Sequence, residues 1–450
     1  MNKVLVLLIS SIFVGPICAQ QVQDSTDYGH VAIASGLSNG SFHRAMGSEQ
    51  SYTIGFETEG KTTIRAWQLK GRFEYQKQTD KDVLFSGVLD PYNGNPFIWG
   101  DTISGKWEHN ALDSYVDLTF PQTKNHVFGL SITYKNSTGA RNNGPKPFYR
   151  YRNININPRV KTFLKGDEHH FIIVGLSYTS AFEENEIGYY TTNDTYLIRG
   201  RGYGSALKGP IQSLDRRRRA NHYGLDLNWS YANTWEIHLK SQYRQDNIKD
   251  GLASPSEDGS YTEILGVGEI NYATSNAGYG LLLNYRAGST DDAVFGFENS
   301  EYQQYSAVFS VDLDRNRQRV HIPKVSIGLL YHKQEDHIVY SDYESQNLTA
   351  QLAQVNHVRN IKISWKIGYQ YNLDQQSSVL SPDVLSDLIY TPDFEYLTTD
   401  HLFAGLHPTI PLGAKDNGKN KFFIKLKNNL LAKNSSSIRY MGEIAIGLNL

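Results

Sequence analysis

The sequence predicts an all-β protein, namely a transmembrane antiparallel β-barrel of about sixteen strands, with fourteen to eighteen compatible with the pattern. Segments of about ten residues alternate between apolar and polar side chains many times along the chain. Aromatic residues stand at the ends of these segments, and short connections alternate with long ones. This combination is typical of an outer-membrane barrel with short periplasmic turns and long extracellular loops.

The alternation is clearest in residues 361–373, where Ile, Trp, Tyr and Leu occupy the odd positions and Lys, Ser, Gly, Gln and Asn the even positions. A strand places each set on one face, whereas a helix would scatter both sets around its circumference. A soluble sandwich also alternates. The polar faces carry charges and amides rather than the Thr and Ser common on sandwich surfaces, and aromatic residues occupy segment ends, as at Trp67 and Tyr75. Both features favour the membrane barrel.

The strands follow in order from this alternation. They are predicted to begin near residues 62, 112, 127, 148, 169, 219, 234, 260, 277, 301, 322, 340, 359, 395, 420 and 437. Residues 52–58 are either a further strand or part of an N-terminal insert. The last segment places Ile438, Tyr440 and Ile444 on one face and ends on the apolar Leu450, which favours a terminal membrane strand.

Composition excludes two other classes of protein. The chain has 450 residues, 20% of them charged, and a formal net charge of −2. A basic protein that binds nucleic acid is therefore not indicated. Outside the first twenty residues, no apolar run approaches the roughly 18 residues that a membrane-spanning helix needs, and the mean hydropathy is −0.47.

The sequence predicts three regions: a signal peptide at 1–19, an N-terminal segment at 20–48 and the barrel at 49–450. Lys3 and the apolar run that follows it are typical of a secretory signal, and Ala19 fits a cleavage site. Cleavage there removes Cys18, the single cysteine, and with it thiolate chemistry and cysteine-ligated zinc. Lipidation of Cys18 is the alternative. No cofactor is predicted.

The sharpest charge cluster is the run Arg216, Arg217, Arg218 and Arg219. On a strand two of these residues face each way. Two would then face lipid at a cost of roughly 2–4 kcal/mol each, so the run is expected at or beyond the extracellular rim. Arginine pairs well with phosphate, which makes lipopolysaccharide or another anion at the mouth the predicted ligand. A hydrated loop base is the alternative.

A second set of charges is predicted to face the lumen. The alternation places these mixed acids and bases on the inward faces of their strands: Lys70, Arg72, Glu74, Asp226, Glu236, Lys362 and Lys366. Mixed signs favour a wet, ion-paired lumen. Whether the lumen is open or filled by long loops stays undecided from the pattern.

No catalytic or metal-binding residues are predicted. The doublets Asp336-His337, Asp400-His401, Asp291-Asp292 and His169-His170 consist of strand neighbours, which point to opposite faces and form no dyad by themselves. The glycine cluster at 200–204 precedes no helix, so it does not predict a phosphate site.

The connection at 84–107 carries Phe85, Tyr92, Phe97, Ile98 and Trp99, an unusually apolar set for an exposed loop. We expect it to fold into the barrel or to meet a partner, because a free apolar patch is costly.

The same connection carries a family resemblance. Residues 90–92 (Asp-Pro-Tyr) through 105–107 (Gly-Lys-Trp), 138–140 (Thr-Gly-Ala) and 149–152 (Tyr-Arg-Tyr-Arg) resemble outer-membrane β-barrel proteins of Bacteroidota with no assigned function. The resemblance implies an outer-membrane barrel and assigns no catalytic residue.

Three functions are compatible with the sequence. The first is a pore, or an accessory barrel of an uptake or secretion complex. The second is a structural or partner-binding barrel with a filled lumen, and the third is an outer-membrane hydrolase. The predicted partners are outer-membrane lipid, lipopolysaccharide, and another outer-membrane protein or surface lipoprotein.

Overall fold

The computed structural model describes residues 27–164, 167, 169–188, 196–210, 214–251, 256–313, 322–416, 419–433 and 437–449. The predicted signal peptide at 1–19 lies outside these residues. Among the described residues, none of the helices is long and apolar enough to cross a membrane.

Eighteen antiparallel strands form one closed sheet, in which each strand pairs with its neighbours in chain order and the first pairs with the last. The first nine are β1 Tyr28–Gly40, β2 Gln50–Ile64, β3 Trp67–Val83, β4 Gly105–Thr119, β5 His126–Arg141, β6 Phe148–Phe163, β7 His170–Ile187, β8 Leu214–Tyr231 and β9 Trp235–Asp250. The other nine are β10 Ser256–Ala273, β11 Gly278–Asp292, β12 Phe297–Asp312, β13 Lys324–Asp336, β14 Ser341–Val358, β15 Ile361–Val379, β16 His401–Asp416, β17 Lys419–Ala432 and β18 Ile438–Asn449. The predicted transmembrane antiparallel barrel is confirmed, at the upper limit of the predicted strand number.

The sixteen predicted strands correspond to β3–β18. Residues 52–58, which the sequence left open between a further strand and an insert, belong to β2, and β1 was missed. β1 pairs with both β2 and β18, with Ile33 opposite Phe56 on one side and Ile446 on the other. The predicted N-terminal segment at 20–48 therefore contains a barrel strand, and the boundary at 49 is too late. Its inward positions carry Ala32, Ala34, Gly36 and Ser38, so the contrast between the two faces of β1 is weak.

The outward face of the barrel is an exposed apolar surface. Its members include Ile33, Ile54, Phe73, Val116, Phe128, Leu225, Leu239, Leu283, Phe309, Ile327, Ile367, Leu406, Phe422 and Ile444. An apolar surface of this extent requires lipid around it. The fold is therefore that of an outer-membrane barrel.

Aromatic girdles border this surface. Tyr178, Tyr223 and Tyr243 lie side by side toward one end of the barrel. Tyr231 and Trp235 lie side by side at the other end. The eight residue steps from Tyr223 to Tyr231 span roughly 26 Å along the strand at 3.3 Å per residue. For a strand tilted by roughly 40°, this is about 20 Å along the membrane normal, somewhat less than an outer-membrane apolar band of about 25 Å.

The connections differ between the two ends. The turn end carries connections 65–66, 120–125, 164–169, 232–234, 274–277, 313–323, 359–360 and 417–418. The opposite end, here called the mouth end, carries connections 41–49, 84–104, 142–147, 188–213, 251–255, 293–296, 337–340, 380–400 and 433–437. The three longest connections all lie at the mouth end, as the sequence predicts for the extracellular side.

Candidate functional site: a plug in the barrel mouth

Three mouth-end segments fold inward and pack inside the barrel mouth. This mouth plug consists of residues 84–104, 196–210 and 380–400. Its apolar core includes Phe85, Ile98, Trp99, Leu197, Ile198, Tyr203, Leu385, Ile389, Tyr390 and Phe394, packed against Tyr302 and Tyr343 of the barrel wall. Trp99 is 1% exposed. The expectation that the apolar connection after β3 folds into the barrel is confirmed.

The plug has regular structure of its own. Trp99–Gly100 pairs with Tyr196–Gly200, which pairs in turn with Ala206–Pro210. A π-helical turn, Ser386–Tyr390, runs into the α-helix Thr391–Thr398. A strand was predicted to begin near 395, but the apolar residues at 389, 390, 394 and 396 follow helical spacing and meet the plug core or the wall.

Asx geometry shapes the first plug segment. The Asp90 carboxylate accepts from the Tyr92 backbone N–H at 2.9 Å, and Asn93 Oδ1 accepts from the Asn95 backbone N–H at 3.0 Å. Asp and Asn favour such turns because their short side chains bond to the backbone two residues further on. The backbone carbonyl of Asn93 is thereby presented to the barrel wall.

Arg216, on the barrel wall, binds the plug. Its guanidinium pairs with Asp250 at 2.8 Å and with Asp258 at 2.5 Å. It also donates to the backbone carbonyls of Phe97 and Ile98 at 3.2 and 3.3 Å. One fully buried arginine thus joins three wall strands to the plug.

A second network repeats this arrangement one strand further along the wall. Arg244 pairs with Asp246 at 2.5 Å and Glu263 at 3.3 Å, and it donates to the Asn93 carbonyl at 2.8 Å. Arg286 bonds both Glu263 and the same carbonyl. The Asn93 carbonyl therefore receives two buried guanidinium groups.

Further ion pairs reach other parts of the plug. Glu183 accepts from Arg218 at 2.8 Å and from the Leu89 backbone N–H at 2.8 Å. Arg201, within the plug, pairs with Asp258 at 2.5 Å. Burial lowers the pKa of Arg201, while Asp258 and Asp292 oppose that effect.

The connection between β1 and β2 also contacts the plug. Arg44 pairs with Asp393 at 2.8 Å and lies over the ring of Tyr92, with 3.5 Å between the guanidinium carbon and the ring centre. Burial acts to lower the pKa of Arg44, but Asp393 and Tyr92 oppose it and the net direction is upward. The hydroxyl of Tyr92 accepts from the Met46 backbone N–H at 2.7 Å.

The predicted arginine run divides between the two faces. Arg216 and Arg218 face inward, Arg217 and Arg219 face outward, and Arg217 pairs with Glu184 at 3.2 Å. The run lies within β8, with Asp250 on the neighbouring strand as a partner of Arg216, so the alternative of a hydrated loop base is wrong for Arg216. Lipopolysaccharide binding by the outward pair stays a prediction.

The predicted lumen charges lie on inward faces. Lys70 pairs with Glu59 at 3.1 Å, and Asp226 with His238 at 3.1 Å. Arg72 lies 3.9 Å from Asp113. The other members of the set, Glu74, Glu236, Lys362 and Lys366, alternate with the outward apolar residues of β3, β9 and β15.

Exposure of lumen charges differs between the two ends. The side chains of Lys70 and Arg72, toward the turn end, are 43% and 39% exposed. Arg216 and Asp246, toward the mouth end, are 1% and 0% exposed. Water therefore reaches the lumen charges near the turns, whereas the plug encloses those near the mouth.

The residue doublets weighed as catalytic groups point apart. Asp336 faces inward and accepts from the Ser205 backbone N–H at 2.8 Å, while His337 is exposed. Asp292 faces Arg201, and His170 stacks on Tyr231 with 4.4 Å between ring centres.

One further group offers metal-binding atoms. Ligand atoms of Glu301, Glu335 and His337 lie within 4.8 Å of one another near the mouth rim. Lys333 already pairs with the Glu335 carboxylate at 2.7 Å.

Sequence reasoning missed most of the residues that anchor the plug. Arg44 and Arg201 lie far along the chain from Arg244, Asp250 and Asp258, so spacing does not connect them. A usable signal was the density of charges at the mouth ends of strands, as in segment 244–250.

Comparisons with known proteins give a fold-level likeness and a family. None of the curated proteins matches the sequence. Among solved structures, the ferric citrate transporter FecA is similar at 10% identity and a TM-score of 0.43, covering 94% of this chain and 79% of that chain. The FpvAI–pyocin S2 complex is similar at 11% identity and a TM-score of 0.47, covering 94% of this chain and 70% of that chain. The siderophore receptor PiuA from Acinetobacter baumannii is similar at 9% identity and a TM-score of 0.42, covering 93% of this chain and 82% of that chain. The model of a family of unknown function, DUF6850, matches residues 16–450, and the chain therefore belongs to that family.

Proposed function

We propose that this protein is an uptake barrel of the outer membrane whose own loops hold the mouth closed at rest. One observation carries the proposal: lumen charges are exposed to water near the turns and enclosed near the mouth. A barrel with only a structural role does not require charged, ion-paired side chains that are exposed to water in the lumen on the turn side of the plug. The cargo and any partner protein stay open.

Opening the mouth requires the plug to leave its buried contacts with the wall. Arg201 would separate from Asp258, and the plug carbonyls of Asn93 and Phe97 from Arg244 and Arg216. A hydrogen bond to a charged group contributes roughly 1.5–3 kcal/mol net, so several such contacts together favour the closed state. A ligand or partner protein can open the barrel only through better contacts with the open state than with the closed one.

A structural or partner-binding barrel is the second candidate. The enclosure of Arg216 and Arg244 by acids and plug carbonyls supports it, because such a network also suits a plug that never leaves. In that case the filled mouth presents a fixed surface to another outer-membrane protein or a surface lipoprotein.

Planar-bilayer conductance distinguishes the two candidates. The plug variant replaces residues 88–97 with a short Gly-Ser linker, which removes the Asn93 carbonyl and the contact of Arg216 with Phe97. The control variant replaces the exposed turn 293–296, outside the plug, with a linker of matched type. We expect steady conductance from the plug variant, rare openings from the unmodified protein, and unchanged behaviour of the control.

The two candidate functions predict different conductance results. A plug variant that conducts no better than the unmodified protein would contradict the uptake proposal, since the lumen would then be blocked below the plug. Steady conductance by the plug variant together with complete silence of the unmodified protein would support the second candidate.

The remaining expectations follow from this assignment. We propose that the mouth end faces outward, that residues 1–19 are removed on export, and that lipopolysaccharide surrounds the rim. An origin in Bacteroidota is proposed only from the sequence resemblance.

A further inference from the structure

A cavity lies directly beneath the mouth plug, on its turn side. Its volume is about 110 Å³. Tyr343 of β14 packs in the plug core, whereas Ser345 and Asn347, the next inward residues toward the turns, line the cavity. Tyr203 and Tyr390 of the plug form part of its roof.

Three buried polar side chains border this cavity without a hydrogen-bond partner among the described residues. Ser345 Oγ, His332 Nδ1 and the Tyr396 hydroxyl are unpaired, and their residues are 1%, 7% and 9% exposed. Arg44 Nε is also unpaired, although the same guanidinium pairs with Asp393 through another nitrogen. An unpaired buried polar group costs about 1–3 kcal/mol. Three such groups around one space are explained if something in that space completes their hydrogen bonds.

The charge of the lining limits what can bind. Arg44 and Asp393, the Arg and Asp residues that line the cavity, pair with each other at 2.8 Å. The other polar lining groups include the amides of Asn95, Gln304, Gln334, Asn347 and Gln370. A bound ion would meet no free counter-charge among these groups, so an uncharged ligand is favoured.

The hydrogen-bonding groups that line the cavity restrict the chemical class of the ligand further. Ser and Tyr hydroxyls both donate and accept, as do side-chain amides through their separate N–H and carbonyl groups. A ligand hydroxyl also donates and accepts at one atom, so several hydroxyls can satisfy this lining in many orientations. One water needs roughly 10–15 Å³ of such a cavity. The cavity is several times larger than that, so it has room for a small organic molecule.

We propose that the cavity beneath the mouth plug is a binding site for a small, uncharged, polyhydroxylated solute of the size of one sugar unit. The site shares Arg44, Tyr92 and Asp393 with the contacts at the mouth, whereas Ser345 and Tyr396 take part in none of the ion pairs there. Its existence does not depend on whether the barrel conducts.

Saturation-transfer NMR on the full-length protein in detergent tests the ligand class. The neutral probes are glucose, galactose and mannose, and the charged probes of the same size are glucosamine and glucuronate. We expect at least one neutral hexose to receive saturation, and the charged probes to bind at least about tenfold more weakly. Absence of transfer to every neutral hexose, or equal transfer to the charged probes, would overturn the proposal.

Matched variants test the location. Ser345→Ala and Tyr396→Phe each remove a hydroxyl that has no partner in the protein, so folding should be unaffected. Each should weaken hexose binding roughly two- to tenfold, the effect of losing one hydrogen bond. Ser38→Ala is the control, because Ser38 Oγ is equally buried and unpaired but lies outside the cavity.

These variants also separate this proposal from that of the uptake barrel. Unchanged hexose binding in both Ser345→Ala and Tyr396→Phe would place any sugar site elsewhere and refute the assignment. Bilayer conductance of the plug variant is unaffected by that result, so each proposal can fail while the other holds.

Discussion

At the scale of single residues, substitution of Arg216 tests how much its buried ion pairs at the mouth end stabilise the protein. Arg216→Ala leaves Asp250 and Asp258 buried close together without their shared cation. Asp250 keeps Arg199 and Asp258 keeps Arg201 as partners. We therefore expect a loss of about 3 kcal/mol in the free energy of unfolding, the lower end of the range for buried pairs that lose one partner. Urea titration in detergent, read by heat-modifiable migration, measures it. Arg219→Ala, at an exposed outward position of the same run, should change stability by less than about 0.5 kcal/mol.

The outward arginines carry the prediction about lipid. Arg219 lies four residues beyond Tyr223 toward the mouth, roughly 13 Å along the strand, which puts it above the tyrosine girdle. Replacing Arg217 and Arg219 together with Gln should lower the lipopolysaccharide that co-purifies, because arginine binds phosphate with paired, charge-assisted hydrogen bonds. Lys124→Gln, which removes one exposed charge at the turn end, is the control. Unchanged lipopolysaccharide in the double variant would contradict the prediction.

The residues also mark how far the sequence could predict the site. Period-two alternation placed Arg216 and Arg218 on one face and Arg217 and Arg219 on the other, as in the structure. It could not identify the partners of Arg216, because Asp258 and the Phe97 carbonyl come from segments 42 and 119 residues away. The Phe97 contact depends on the path of the plug, and the Asp258 contact depends on where β10 begins, neither of which a local pattern encodes.

At the scale of elements, strands were predictable where their two faces differ in chemistry. β15 carries charges and amides on one face and aliphatic or aromatic residues on the other, and its start was predicted within two residues. β1 carries small residues on its inward face, and it was missed. The helix Thr391–Thr398 was taken as the start of a strand, because eight residues are too few to establish a helical period.

A pair of lysine substitutions in β15 tests the two faces directly. Ile367 is 42% exposed and points to lipid, whereas Ser364 faces the lumen. Ile367→Lys should impair assembly, because a lysine in the apolar band costs roughly 2–4 kcal/mol. Ser364→Lys should assemble normally, because water solvates its charge. Heat-modifiable migration of membrane fractions reports assembly, and equal behaviour of the two variants would argue against this orientation of the strand.

At the scale of the whole molecule, barrel and plug follow different rules. The barrel is built from neighbouring strands in chain order, so local patterns and connection lengths were enough to predict it. The plug joins segments 84–104, 196–210 and 380–400 with wall residues from many strands. Its apolar composition predicted that the first segment would be covered, but not what would cover it.

The orientation of the whole barrel is the last prediction. The mouth end should face outward, because the long connections and the arginine run lie there, while the short turns face the periplasm. Val294, 55% exposed in the mouth-end turn 293–296, and Thr123, exposed at the turn end, are suitable cysteine positions. Asn299, also toward the mouth end, is fully buried and donates to the Arg201 carbonyl, so a cysteine at that position would not be accessible to a labelling reagent. Cys18→Ser supplies a background without other cysteines. An impermeant maleimide should label Val294→Cys on intact cells, and Thr123→Cys only after the outer membrane is permeabilised. The reverse pattern would invert the barrel and place the plug on the periplasmic side, where it could not close the mouth against the exterior.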